Sequence, residues 1–312
     1  MKRIAVIALL CVVLLLCAGC EKTAQSTVFA MDTTMEFSLW GADSEKAAQS
    51  LGTLMQQLEQ TWSVTREDSL LSRIYRGEVE ELTETDSALL ESILALSEQT
   101  GGAFNPQLYS VMDAWGFYGD QNRVPTQDEL TEALEQPRWD LGGVIKGYAG
   151  QAAVELLATM RIDRAILNLG GNVQTYGSKE DGTPWTVGIQ NPDGGDPVGT
   201  VSVNGTAAVV TSGDYQRYFE VDGVRYHHIM DPETGMPAKS GLRSVTVICW
   251  EGMQADALST ALFVMGLEDA IALWEQEGGF EAVFITESGN VYATAGAGFS
   301  GCDHEVLERD DY

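Results

Sequence analysis

The sequence predicts an α+β domain, and three observations carry that prediction. Strand-like runs fold back on themselves as hairpins: Tyr218 to His228 turns over Asp222-Gly223, and Ala282 to Thr294 turns over Ser288-Gly289-Asn290. Amphipathic helices stand singly between such runs, without the strand–helix alternation of a doubly wound parallel sheet. No Gly-x-Gly-x-x-Gly opens a helix after a strand, which removes the dinucleotide-binding architecture built on that turn.

Taken in order, Val28 to Leu39 partly alternates and reads as an opening strand. Leu51, Leu54, Met55 and Leu58 recur at helical spacing, so Ser44 to Glu59 is a helix capped near Asp43-Ser44. Thr61 to Leu71 is polar and loop-like. Thr85 to Thr100 is a second amphipathic helix, stopped by Gly101-Gly102. Phe104 to Tyr118 carries Trp115, Phe117 and Tyr118, either an aromatic wall or a packed edge. Asp128 to Glu135 is a short helix ended by Pro137, and a further helix runs through Met160. Arg164 to Leu169, Thr186 to Ile189, Gly199 to Val203, Ala207 to Thr211 and Ser244 to Trp250 are strands. Met253 to Met265 and Leu267 to Glu277 are helices. No internal repeat or low-complexity linker divides the chain.

The first residues address the chain outward. Met1-Lys2-Arg3 precedes an apolar run from Ile4 to Leu16, too short to span a bilayer, and Cys17-Ala18-Gly19-Cys20 follows. Residues 1–19 therefore read as a lipoprotein signal peptide. Residues 20–27 read as a tether lipidated at Cys20, and 28–312 as the folded domain facing away from the cytoplasm. The sequence holds 18 basic and 46 acidic residues, a formal net charge of −28. Such a surface repels nucleic acid, and an anionic substrate must be met by a few placed cations or a metal. Cys249 lies in an apolar strand and is expected as a buried thiol rather than a partner of Cys302.

Five stretches hold residues suited to chemistry. Asp140-Leu141-Gly142-Gly143-Val144-Ile145-Lys146-Gly147-Tyr148-Ala149 opens a helix, with one lysine among three glycines. It reads as a phosphate cradle using free first-turn N–H groups, or as a tight loop with a solvated lysine. Asp256 and Thr260 stand four apart on a helix, so both oxygens share a face that suits magnesium, or a plain packing role. His227-His228 ends a strand; only one of two neighbours can face a given site, and that one could take a proton at neutral pH. Thr211-Ser212-Gly213-Asp214-Tyr215 and Gly170-Gly171-Asn172 read as ligand-binding or plain turns.

Together with Asn168-Leu169-Gly170-Gly171-Asn172, His228-Ile229-Met230-Asp231-Pro232-Glu233-Thr234-Gly235 and Ala255-Asp256-Ala257-Leu258-Ser259-Thr260-Ala261, these stretches resemble the ApbE family. Its members are FAD:protein FMN transferases, often called thiamine biosynthesis lipoproteins. Met31-Asp32-Thr33-Thr34-Met35 and Gly102-Ala103-Phe104-Asn105-Pro106 are similar to two further family stretches, so the likeness spans the mature chain.

The resemblance implies an ApbE-like fold with mixed or antiparallel sheets, and a magnesium-dependent enzyme outside the cytoplasm. It implies cleavage of FAD at its diphosphate and attachment of FMN to a Thr or Ser hydroxyl of an acceptor flavoprotein, expected to be a membrane redox subunit. Position by position, Met31, Ala103, Phe104, Asn105, Asp140, Lys146 and Met230 match flavin-nucleotide contacts. Gly143 through its carbonyl, Asp256 and Thr260 match magnesium ligands, and His228 matches the proton acceptor. Two residues depart from the family pattern. Thr65 stands where a flavin-side tyrosine is usual, so stacking must come from Phe104 or Trp115, and Asn105 stands where aspartate is usual. The rival readings are a magnesium-dependent FAD pyrophosphatase giving FMN and AMP, and a non-catalytic flavin-binding lipoprotein.

Overall fold

The computed structural model describes residues 22–119 and 121–309; the expected signal peptide and lipid site at Cys20 lie outside the described residues. Where the sequence predicts one opening strand, two stand: β1 (Thr23–Ala30) and β2 (Thr33–Trp40), antiparallel, with Ala30 opposite Thr33. Met31 and Asp32 between them take φ of 52° and 57°, a two-residue hairpin turn made without glycine. Non-glycine residues in that region cost about 1–2 kcal/mol each, so neither residue type announces the turn. β1 also takes in residues 23–26, expected as tether, because they pair with β2 along its full length.

Helices α1 (Ser44–Trp62), α2 (Leu70–Tyr75), α3 (Glu84–Gln99), α4 (Tyr109–Ala114), α5 (Gln127–Leu134) and α6 (Ile145–Ala158) follow. The short α2 begins at the end of the stretch read as loop, and α4 lies in the one read as an aromatic wall or packed edge. A capping box between Thr126 and Glu129 starts α5 one residue before the expected place. Then come β3 (Arg164–Leu169), β4 (Asn172–Tyr176), β5 (Trp185–Ile189), β6 (Gly199–Val203) and β7 (Ala207–Gly213). The hairpin β8 (Tyr218–Val221) and β9 (Val224–His227) leads to β10 (Leu242–Cys249), α7 (Gly252–Met265), α8 (Leu267–Glu277), β11 (Phe280–Thr286) and β12 (Val291–Thr294). Two short strands, β13 (Phe299–Gly301) and β14 (Glu305–Leu307), complete the described chain.

Nine strands form one sheet in the order β1-β2-β3-β4-β7-β10-β11-β12-β14, antiparallel except for the β12–β14 pair. Gly170-Gly171, with φ of 68° and 101°, close the β3–β4 hairpin, so that stretch is a sheet turn. On one face Met35, Phe37 and Leu39 of β2 alternate into a core shared with α1 and α6. Val245, Val247 and Cys249 of β10 alternate into a second core beneath α7 and α8. The opposite face packs Val209, Val283 and Ile285 against Trp185, Val187 and Val201 of the small β13-β6-β5 sheet. Cys249 is a buried free thiol and Cys302 an exposed one.

α7 contributes Ala257 and Ala261 to the first core and Ala255, Leu258 and Phe263 to the second. A helix that is apolar on nearly every side belongs in the interior. Among its buried residues is one carboxylate, Asp256, 4 % exposed. A buried charge is tolerated only with a partner, and that partner defines the site. Among the described residues, no helix is long and apolar enough to cross a membrane.

Candidate active site

A cleft of about 650 Å³ opens where the β1–β2 turn, the 103–105 segment, the glycine-lysine stretch, the chain after β9 and α7 converge. That volume suits a cofactor-sized ligand, for which about 300–1,000 Å³ is usual. Met31 and Thr65 line it, as do Ala103, Phe104 and Asn105. From the second half of the chain Asp140, Gly143, Lys146, His228, Met230 and Thr260 reach the same space.

The strained turn delivers Met31, whose N–H donates to Glu59 Oε1 at 3.2 Å. Backbone strain of this kind gathers where a ligand must be met. Asn105 accepts the Gln107 N–H on Oδ1 at 2.8 Å, so its amide closes its own turn and leaves Nδ2 toward other partners. Thr65 lies with Ser63 at 3.0 Å between hydroxyls, a small polar corner where an aromatic ring would otherwise stand. Phe104 is a cleft wall at 2 % exposure, not an open stacking platform. Trp115 is excluded from flavin stacking: it is wholly buried in the core formed by α4, α5 and the β8–β9 hairpin, with Nε1 donating to Gly235 O at 2.7 Å.

Asp140 is held from three sides. Its N–H donates to Pro106 O at 2.7 Å, its Oδ1 accepts the Gly142 N–H at 2.9 Å, and its Oδ2 accepts the Tyr118 hydroxyl. Burial pushes its carboxyl above the ordinary range, while the Tyr118 and Gly142 bonds and the Arg217 charge oppose that rise. This clasp shapes the glycine loop before α6. The expected set of free first-turn N–H groups is only partly present. Ile145 N–H donates to Leu141 O at 2.8 Å and Gly147 N–H to Asp256 Oδ2 at 2.8 Å. The positive charge that this stretch turns toward the cleft therefore rests on the Lys146 side chain.

The Gly147 bond ties α6 to α7 and places the Asp256 carboxylate one residue from Lys146. Asp256 itself lies just behind the cleft wall. Among the described residues its Oδ1 accepts no hydrogen bond. Gly143 and Thr260 are neighbours, since a Cβ at Gly143 would lie 3.6 Å from Thr260 Oγ1. A carboxylate, a hydroxyl and a nearby loop carbonyl are hard oxygen donors, a set that fits magnesium. Ser212, expected in a turn, instead ends β7 beneath this group, with its hydroxyl 2.8 Å from Ser259 and 3.3 Å from Thr260.

The two histidines part as strand geometry demands. His227 turns inward, with Nε2 3.1 Å from Ala238 O and its ring edge-on to Phe263. His228 faces the cleft, and its Nδ1 is 3.1 Å from Arg217 O. A carbonyl only accepts, so Nδ1 carries the proton and Nε2 is left with its lone pair free. Burial, then the Arg217 and Lys146 charges, lower the imidazole pKa to about 3, so it is neutral at physiological pH. Nothing in the sequence marks Glu59, Tyr118 or Arg217 for these contacts, save the placement of Arg217 just after Thr211 to Tyr215 in so acidic a chain.

The ApbE family model matches residues 31–284. The chain belongs to the ApbE family. The FAD:protein FMN transferase of Treponema pallidum is 36 % identical over 294 residues, covering 82 % of this chain and 81 % of the relative. That of Vibrio cholerae is 32 % identical, covering 84 % and 88 %. The solved ApbE protein of Thermotoga maritima superposes with a TM-score of 0.79 at 32 % identity, covering 86 % of this chain and 96 % of that one. The Pseudomonas stutzeri flavinyl transferase ApbE in its apo form gives 0.75 at 28 % identity, with 91 % and 95 % covered. The α+β architecture is that of these ApbE structures.

Proposed function

We propose that this ApbE-family chain is an FAD:protein FMN transferase, placing the FMN half of FAD on a Thr or Ser hydroxyl of an acceptor protein and releasing AMP. Its relatives carry that activity in their names. The observation that carries the reading is one cleft shared by Lys146, His228 and Thr260, with Asp256 bonded to the residue beside Lys146.

The chemistry follows from the placement of these groups. His228 Nε2 takes the proton of the acceptor hydroxyl, whose oxygen attacks the FMN phosphorus. The bond from that phosphorus to the bridging oxygen breaks, and AMP departs with that oxygen. Lys146 offsets charge on the diphosphate as it separates, in a chain that otherwise repels anions. Gly143 O, Asp256 and Thr260 would hold magnesium, which supplies further positive charge against the phosphates when bound. Met31, Ala103, Phe104, Asn105, Asp140 and Met230 position the nucleotide, and Thr65 replaces an aromatic contact with a polar one.

The N-terminal pattern supports lipid anchoring at Cys20, with the domain outside the cytoplasm and a membrane redox subunit as acceptor. Incubation with FAD, magnesium and a candidate acceptor tests the activity. The acceptor should gain the mass of FMN less one water. Free FMN and AMP alone would establish hydrolysis instead, and unchanged FAD a binding protein.

A further inference from the structure

We propose that Arg217 is a second cation of the diphosphate subsite, its guanidinium contacting a phosphate oxygen of the bound dinucleotide while its carbonyl positions His228. This rests on the reading that the cleft takes FAD. The charge pattern is the first support. Among the described arginines, Arg138, Arg217 and Arg309 have no carboxylate at ion-pair distance, although the chain holds 46 acidic residues. Arg138 packs on Tyr75 and Tyr109, and Arg309 on Trp274. Arg217 lines the cleft. A cation left without a carboxylate at ion-pair distance in so acidic a chain, in the same cleft as Lys146, is suited to an anion that arrives with the substrate.

Geometry supplies the second support. Arg217 precedes β8, and one of its Nη atoms donates to Phe117 O across the cleft wall. Its guanidinium carbon lies 5.7 Å from the Phe117 ring centroid and 5.6 Å from that of Tyr118. The fork is thus held in place, and among the described residues its Nε and other Nη donate to nothing. A pre-oriented guanidinium with spare donors is the usual partner of a phosphate. Its charge is felt by both Asp140 and His228. Its carbonyl also accepts two bonds from His228, from N–H and from Nδ1, both at 3.1 Å. Phosphate binding and base orientation therefore meet in one residue.

The test compares FAD, ADP and riboflavin binding to the full chain and to Arg217→Met and Arg217→Lys, by calorimetry or flavin fluorescence. Riboflavin lacks phosphate, so it reports packing alone. Losing a charge-assisted bond should weaken FAD and ADP about tenfold to a hundredfold in Arg217→Met and leave riboflavin unchanged. Arg217→Lys should recover part of that loss, because it restores the charge without the fork. Unaltered FAD and ADP affinity in Arg217→Met would overturn the assignment, and so would an equal weakening of all three ligands. Both results leave transferase activity open. An unaltered chain that binds neither FAD nor ADP would overturn the functional reading and this proposal with it.

Discussion

Replacing Gly147 by alanine pushes one methyl group into the seam between α6 and α7. Its Cβ would lie 2.1 Å from Gly252 O and 2.6 Å from Asp256 Cβ. Both neighbours belong to a buried helix, so neither can swing aside as a surface side chain would. Overpacking a core costs about 1–3 kcal/mol. Separating the helices also breaks the Gly147 N–H bond to the Asp256 carboxylate, and a bond to a charged group contributes about 1.5–3 kcal/mol. Together these give about 2.5–6 kcal/mol, or a Tm lowered by roughly 4–10 °C at about 2.1 cal/mol/K of unfolding entropy per residue. Lys146 and Asp256 move apart in the same step, so transfer should fall more than the folded fraction does. Thermal melts paired with transfer rates at a temperature where the variant remains folded would measure both. A Gly147→Ala chain with unchanged Tm and rate would refute the claim that this contact holds the site together.

Further expectations concern single groups. His228→Ala should lose transfer by about a hundredfold to ten-thousandfold while retaining FAD binding, as single-turnover assays would show. Because the His228 pKa is lowered from 6.5 to about 3, the unfolded chain takes up its proton first as pH falls between those values. The His228 contribution therefore erodes stability as pH drops below 6.5, and urea titrations at pH 7 and pH 5 should show a smaller drop in His228→Ala. Asp256→Asn keeps an acceptor for Gly147 N–H but loses the charge. Magnesium should raise the Tm of the parent chain and leave this variant unmoved, with transfer about tenfold or more slower. Trp115→Phe removes the buried bond to Gly235 O and should cost about 1–3 kcal/mol, read by denaturation, with FAD affinity unaltered.

Much of this site could be read in the sequence because its parts are local signals. The Asp222-Gly223 turn, the Asp256/Thr260 spacing and the glycine-lysine stretch are short-range patterns, and the fold brings the last two to one cleft. Strand alternation requires that only one of His227 and His228 face the site, and the resemblance to the ApbE pattern, not the alternation, singles out His228. Other features were hidden for physical reasons. The β1–β2 turn uses Met31 and Asp32 at positive φ, which tertiary contacts enforce against local preference. Trp115 looked available for stacking because an aromatic in a glycine-rich stretch does not reveal which core it enters. Ser212 looked like part of a turn because the extension of β7 depends on pairing with β10. Arg217 acts through contacts at positions 117 and 228, separations that no local pattern encodes.

The proposed transfer requires a diphosphate between Lys146 and the oxygen donors of Gly143, Asp256 and Thr260. Crystals grown with ADP and manganese, a magnesium stand-in with an anomalous signal, test it most directly. A metal peak should appear bounded by those three donors, with the phosphates beside Lys146. A peak elsewhere in the cleft, or phosphates remote from Lys146, would contradict it.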